Sequence, residues 1–188
     1  MHREDCLNVP NTLSLLRLFL VTPFLIAIIY KQYALALVLF LLAGISDFLD
    51  GFLARRLNQT SLLGTYLDPM GDKLLTTVAF VALSLQGLVP AWLAVLVVAK
   101  DVYVALGSGV LHFAGNVSAF VPSFWGKFST LLQIVAMGIV LLSAIVPLPE
   151  FLIDVLFVGT GLVTVVAGVH YIWRGLQDFP ARPDEAGE

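Results

Sequence analysis

Charge is what this chain has least of. Only 12% of its 188 residues are Asp, Glu, Lys or Arg, about half the share of an ordinary soluble domain. Hydrophobic residues make up 59% of the chain, and mean hydropathy is +0.95. This balance argues against a water-soluble globule and for an integral membrane protein. Cysteine is nearly missing as well. The single Cys6 excludes an intramolecular disulfide and leaves no thiolate pair to hold a metal. Nor does the N-terminus read as a cleaved leader, because Glu4 and Asp5 spoil a positive start and no small-residue cleavage site follows the apolar run. The net charge of −3 is too small to point to nucleic acid or any other charged partner.

What is there is apolar and segmented. Crossing the hydrocarbon of a bilayer takes about 20 residues of helix, and six segments qualify: Leu13–Tyr30, Tyr33–Phe52, Leu63–Leu85, Pro90–Phe113, Phe124–Val146 and Phe151–Trp173. Backbone groups in lipid must bond within their own segment, so these predict an all-α integral membrane protein of six transmembrane helices. Residues 1–12 are too polar to span and include Pro10, and they read as a short interfacial segment. Residues 13–175 would form one six-helix transmembrane domain, and residues 176–188 read as a disordered tail. With the N-terminus inside, the outward loops carry only Lys31. The inward side takes Arg3, Arg17, Arg55, Arg56, Lys73, Lys127, Arg174 and Arg182. This asymmetry predicts cytoplasmic termini, in a multi-pass protein of a bacterial inner membrane.

One stretch breaks the apolar pattern. From Asp47 to Lys73 the chain carries Asp47, Asp50, Asp68 and Asp72. The first two are three apart and the last two four apart, so each pair shares a helical face. A short loop joins the two segments, which would let the pairs point at each other. Four crowded carboxylates repel at low dielectric unless a cation sits among them. Oxygen ligands with no histidine or thiolate nearby suit magnesium or manganese. The plainer reading pairs Asp47 and Asp50 with Arg55 and Arg56 and makes Asp68, beside Pro69, a turn residue. Four acids together at helical spacing favour the functional reading, since ionisable residues inside a membrane mark functional paths. Gly51, Ala54, Gly64 and Gly71 lie among them, and small residues let helices or a bulky ligand approach the backbone. Two ions could bridge a diphosphate and stabilise its leaving group, which suggests a phosphate-bearing substrate.

The run Asp47-x2-Asp50-Gly51-x2-Ala54-Arg55-x8-Gly64-x3-Asp68-x3-Asp72 resembles the signature of the CDP-alcohol phosphotransferase family at each of its eight defined positions. The resemblance implies a six-helix membrane enzyme, usually a homodimer, that transfers a substituted phosphate from a CDP-linked donor to an alcohol with release of CMP. It also implies that Asp47, Asp50, Asp68 and Asp72 hold a pair of magnesium or manganese ions. Asp72 would act as general base on the acceptor hydroxyl. Gly51, Ala54 and Gly64 would make room for the CDP donor, with Arg55 and Ser14 beside it.

Other stretches narrow the branch. The opening NVPNTLSLLRL (Asn8–Leu18), DPMGDK (Asp68–Lys73) and SFWGKFSTLLQ (Ser123–Gln133) resemble bacterial phosphatidylglycerophosphate synthases and their relatives, which use CDP-diacylglycerol. Synthases that take glycerol 3-phosphate typically carry Arg-Glu in the fourth span with a further arginine two turns on. Here the pair is Lys100-Asp101, and the later position falls among Gly107, Ser108 and Gly109. Eukaryotic-type cardiolipin synthases, whose acceptor is phosphatidylglycerol, are resembled more closely, through Lys100-Asp101, LAGISDFLDGF (Leu42–Phe52) and LVPAWL (Leu88–Leu93). Arg17, Lys100 and Lys127 are the candidates for the acceptor phosphate. The plainer alternatives are that Lys100 pairs with Asp101 or another helix and that Lys127 and Arg17 snorkel to the headgroups. His112, His170 and the tryptophans 92, 125 and 173 read as interfacial. An ion or proton transporter is the rival class. It would need charges spread through the membrane, whereas four acids gather at one face.

Overall fold

The computed structural model describes the backbone over residues 9–57, 62–113 and 124–177, and side chains over residues 19–46, 73, 75–107 and 124–174. The described residues form six helices: α1 (Val9–Ile29), α2 (Tyr33–Leu57), α3 (Leu62–Leu85), α4 (Ala91–Phe113), α5 (Phe124–Ser143) and α6 (Glu150–Gln177). No strand occurs among the described residues. Each apolar segment expected from hydropathy is therefore one helix. Helix α1 already takes in residues 9–12, assigned from polarity to the interfacial segment. Pro10 is compatible with that, because a first-turn N–H has no intrahelical partner to lose. At the other end α6 runs to Gln177, while the tail over residues 178–188 lies outside the described residues.

Tight turns close two of the hairpins. After α1 the N–H of Gln32 donates to the Ala27 carbonyl at 2.7 Å and that of Lys31 to Ile28 at 3.0 Å. After α3 the N–H of Leu88 donates to Leu83 at 3.0 Å and that of Gly87 to Ser84 at 2.9 Å. Both patterns satisfy orphan carbonyls at a helix end and require a left-handed residue there. Those residues are Lys31 (φ 56°) and Gly87 (φ 76°).

The packing follows a simple plan. Helix α1 packs on α2 and α3, α5 packs on α2, α3 and α6, and α4 packs on α3 and α6. Two rings of four helices result, α1-α2-α5-α3 and α3-α4-α6-α5, with α3 and α5 common to both. Helices α4 and α6 run parallel: Trp92 and Lys100 of α4 lie beside Gly161 and Gly168 of α6. A Cβ built on Gly138 of α5 would lie 3.6 Å from Phe40 of α2, and both residues stand near the hairpin-turn ends of their helices. The turns at residues 30–32, 86–90 and 144–149 thus gather at one end of the bundle. The acid-bearing parts of α2 and α3 lie toward the other end.

The first ring holds an apolar core. Phe24 and Phe40 have ring centroids 6.2 Å apart, with Ile28, Phe80, Leu83 and Met137 fully buried around them. Outside, the bundle stays apolar. Phe124–Ser143 (20 residues) and Glu150–Arg174 (25 residues) are long and apolar enough to cross a membrane, yet only 33% and 28% of their most apolar 18-residue stretches is buried. Leu131, Val135, Leu152, Val158 and Leu162 face outward. Helices apolar on all sides but not buried by protein suit a hydrocarbon surround rather than water.

Candidate functional site

Helix α2 carries Asp47, Asp50, Gly51, Ala54 and Arg55 on unbroken helical backbone, and α3 likewise carries Gly64, Asp68 and Asp72. The i,i+3 and i,i+4 spacings therefore translate into shared helix faces. The side chains of these residues lie outside the described residues, so the facing of the two acid pairs does too. The same holds for Ser14 and Arg17, whose backbone belongs to α1. As a donor set the four carboxylates fit a magnesium- or manganese-type ion in kind: all oxygen, anionic and paired on two helices. Among the described residues no group of three His, Cys, Asp or Glu could hold a metal ion.

Just below this end the second ring encloses a polar layer. Lys100 is 7% exposed, and its Nζ lies 3.2 Å from Asp101 Oδ1. It also donates to Gln133 Oε1 of α5 at 3.3 Å. Gln133 in turn donates through Nε2 to Thr164 Oγ1 of α6 at 2.9 Å and to Ser129 Oγ at 3.2 Å. The hydroxyls of Ser129 and Thr164 are 3.4 Å apart. On the other side Thr77 of α3 donates to Asp101 Oδ2 at 3.4 Å. One continuous chain of polar contacts thus ties α3, α4, α5 and α6. Every member gains a partner, which is what burial of such groups demands.

The layer sits in register with the acids. Thr77 follows Asp72 by five residues, about 7.5 Å along the α3 axis at 1.5 Å per residue. Lys73, next to Asp72 in sequence, is half-buried. Lys100 is paired both with its neighbour and with another helix, as the plainer reading had it. Lys127 stands exposed near the start of α5, compatible with snorkelling. His170 packs edge-on against Trp173. Trp92, Trp125 and Trp173 are all exposed.

Sequence reasoning missed Thr77, Ser129, Gln133 and Thr164. A signal existed for two of them: Ser129 and Gln133 are four apart in an apolar helix, so they share one face.

Comparison with known proteins gives a consistent family. The profile described as CDP-alcohol phosphatidyltransferase matches residues 7–171. A "Probable phosphatidylglycerophosphate synthase" of Mycobacterium tuberculosis (strain H37Rv) is 35% identical over 184 residues, covering 94% of this chain and 86% of the relative. The "CDP-diacylglycerol--glycerol-3-phosphate 3-phosphatidyltransferase" of Aquifex aeolicus is 33% identical over 177 residues, covering 91% and 97%. The "Cardiolipin synthase (CMP-forming)" of Streptomyces coelicolor is 36% identical over 146 residues, covering 74% and 67%.

Proposed function

Because the chain belongs to the CDP-alcohol phosphatidyltransferase family, we propose that it moves a phosphatidyl group from CDP-diacylglycerol to phosphatidylglycerol, giving cardiolipin and CMP. The observation that carries this choice of acceptor is the ion pair of Lys100 with Asp101 at 3.2 Å. Lys100 contributes no net charge once its neighbour is counted. With no further arginine two turns on, where Gly107, Ser108 and Gly109 stand, such a pair suits the single charge of a phosphodiester better than the dianion of glycerol 3-phosphate, which calls for uncompensated cations. The second reading is phosphatidylglycerophosphate synthesis from glycerol 3-phosphate. It is favoured by the relatives of Mycobacterium tuberculosis and Aquifex aeolicus, which align over nearly the whole chain.

In this reading the six helices each cross the bilayer, with both termini and the acid-bearing end on the cytoplasmic side of a bacterial inner membrane. The placement of Lys127 and Arg174 toward one end, with Lys31 at the other, supports that orientation. Asp47, Asp50, Asp68 and Asp72 would hold two magnesium or manganese ions, which when bound neutralise diphosphate charge. Arg55 and Ser14 hold the donor, and Gly51, Ala54 and Gly64 leave room for its cytidine. Asp72 accepts the proton of the acceptor hydroxyl. The hydroxyl oxygen bonds to the phosphatidyl phosphorus as the anhydride bond to CMP breaks, and CMP leaves with the electron pair. Arg17, Lys100 and Lys127 orient the acceptor phosphate, so the rate depends on positioning.

The test is CMP release by the purified chain in detergent–lipid micelles with CDP-diacylglycerol and magnesium, adding phosphatidylglycerol or glycerol 3-phosphate in parallel. Release with phosphatidylglycerol alone, and cardiolipin as product, is expected. Release with glycerol 3-phosphate alone would replace the first reading by the second. EDTA should abolish release, and magnesium or manganese should restore it; turnover insensitive to the chelator would remove the metal from the reading.

A further inference from the structure

The polar layer contains more than an ion pair needs. Lys100 and Asp101 are neighbours in sequence and already neutralise each other. Gln133 is nonetheless placed against Lys100 from α5, 1% exposed, and is itself held by Thr164 and Ser129. A glutamine in an apolar core needs partners for one carbonyl and two N–H bonds. Here the carbonyl takes Lys100 and the amide nitrogen takes the two hydroxyls, so the side chain has one orientation. The stem of Lys100 runs beside Gly168 of α6, where a Cβ would come within 3.9 Å of its Cγ. Its ammonium is thereby held from α4 and α5 while its stem lies along α6. Among the described residues Asp101 and Gln133 take two of its three protons.

We infer that Gln133 is a positioning residue for the acceptor: it holds the Lys100 ammonium at a fixed point below the acid-bearing turns of α3, and so sets the affinity for the acceptor phosphate. The inference rests on the family reaction and on Lys100 as an acceptor contact. It adds the residue that aims Lys100 and the anchor, Thr164, that aims the residue. A purely structural glutamine would have no reason to affect one substrate and not the other.

The experiment measures KM for donor and acceptor separately, on the full-length chain in micelles, for Gln133→Leu, Gln133→Glu, Thr164→Val, Lys100→Met and the Gln133→Leu/Lys100→Met double variant. Gln133→Leu should raise acceptor KM at least tenfold and leave KM for CDP-diacylglycerol within twofold. Gln133→Glu keeps an acceptor for the ammonium and should restore most of the loss. Thr164→Val removes only the anchor in a side chain of the same shape, and should raise acceptor KM about threefold. The double variant should be no worse than Lys100→Met, since residues acting through one another are not additive. An active Gln133→Leu protein with unchanged acceptor KM, or with both KM values raised equally, would overturn the positioning role. So would additive losses in the double variant. Should Gln133→Leu fail to fold, Thr164→Val decides the matter by the same split. A folded wild-type chain that releases no CMP with either acceptor would instead remove the proposed function, and this role with it.

Discussion

At the scale of single residues, the Lys100–Asp101 pair is costly to disturb. Taking both charges out of water is unfavourable, and the pair holds because each has a near partner and Gln133 and Thr77 add hydrogen bonds. Breaking it from one side leaves an uncompensated buried charge. Asp101→Asn should therefore lower stability by about 3–5 kcal/mol, read as an early thermal transition in detergent. The double variant Lys100→Met/Asp101→Leu should recover most of that stability while acceptor-dependent turnover stays lost. Stability and function would then be separated at one site. Gly161 makes a different kind of demand. A Cβ there would lie 2.6 Å from Trp92 Cζ3, so Gly161→Ala must push the indole off α6. The expected loss is about 1–3 kcal/mol, and Trp92→Leu in the same chain should relieve it. A Gly161→Ala protein that melts with the wild type would show that the ring moves aside freely.

Among the helices, much was legible in the sequence, because a single signal, apolar length, decides both what crosses hydrocarbon and what forms a helix. The six segments and six helices coincide. Their ends differ where two physical rules part company. Helix α2 runs five residues past Phe52 to Leu57, since Ala54, Arg55 and Arg56 end the apolar run but are good helix formers. Helix α5 stops at Ser143, short of Val146, because Pro147 disfavours the helical conformation at the residue before it. The eight-position signature was legible in the sequence, and all eight residues lie on the helical backbone of α2 and α3. The polar layer was not legible. Thr77, Ser129, Gln133 and Thr164 come from three helices, and their meeting depends on packing angles that no local pattern encodes. Lys100 and its pairing with Asp101 were visible, but the hydrogen bonds from Gln133 and Thr77 were not.

At the scale of the whole molecule, the three hairpin turns at one end give the topology a direct test. Cys6 is the single native thiol, so a Cys6→Ser background admits one reporter cysteine at a time. Cysteines placed at Gln86 and Val146 should react with a membrane-impermeant maleimide on intact cells, and cysteines at Lys127 and Arg174 only after permeabilisation. The reverse pattern would invert the protein in the membrane, and labelling of all four would break the six-span reading. The adjacency of Lys100 and Asp101 also bears on how such a bundle is assembled. Hairpins enter a bilayer in order of synthesis, and α4 is made before the helices that supply Gln133 and Thr164. A cation whose counter-ion came from a later helix would have to wait for it in hydrocarbon. Here the counter-ion is the next residue, so α4 can be released from the insertion machinery already neutral, and the later helices have only to refine an arrangement that it brings with it.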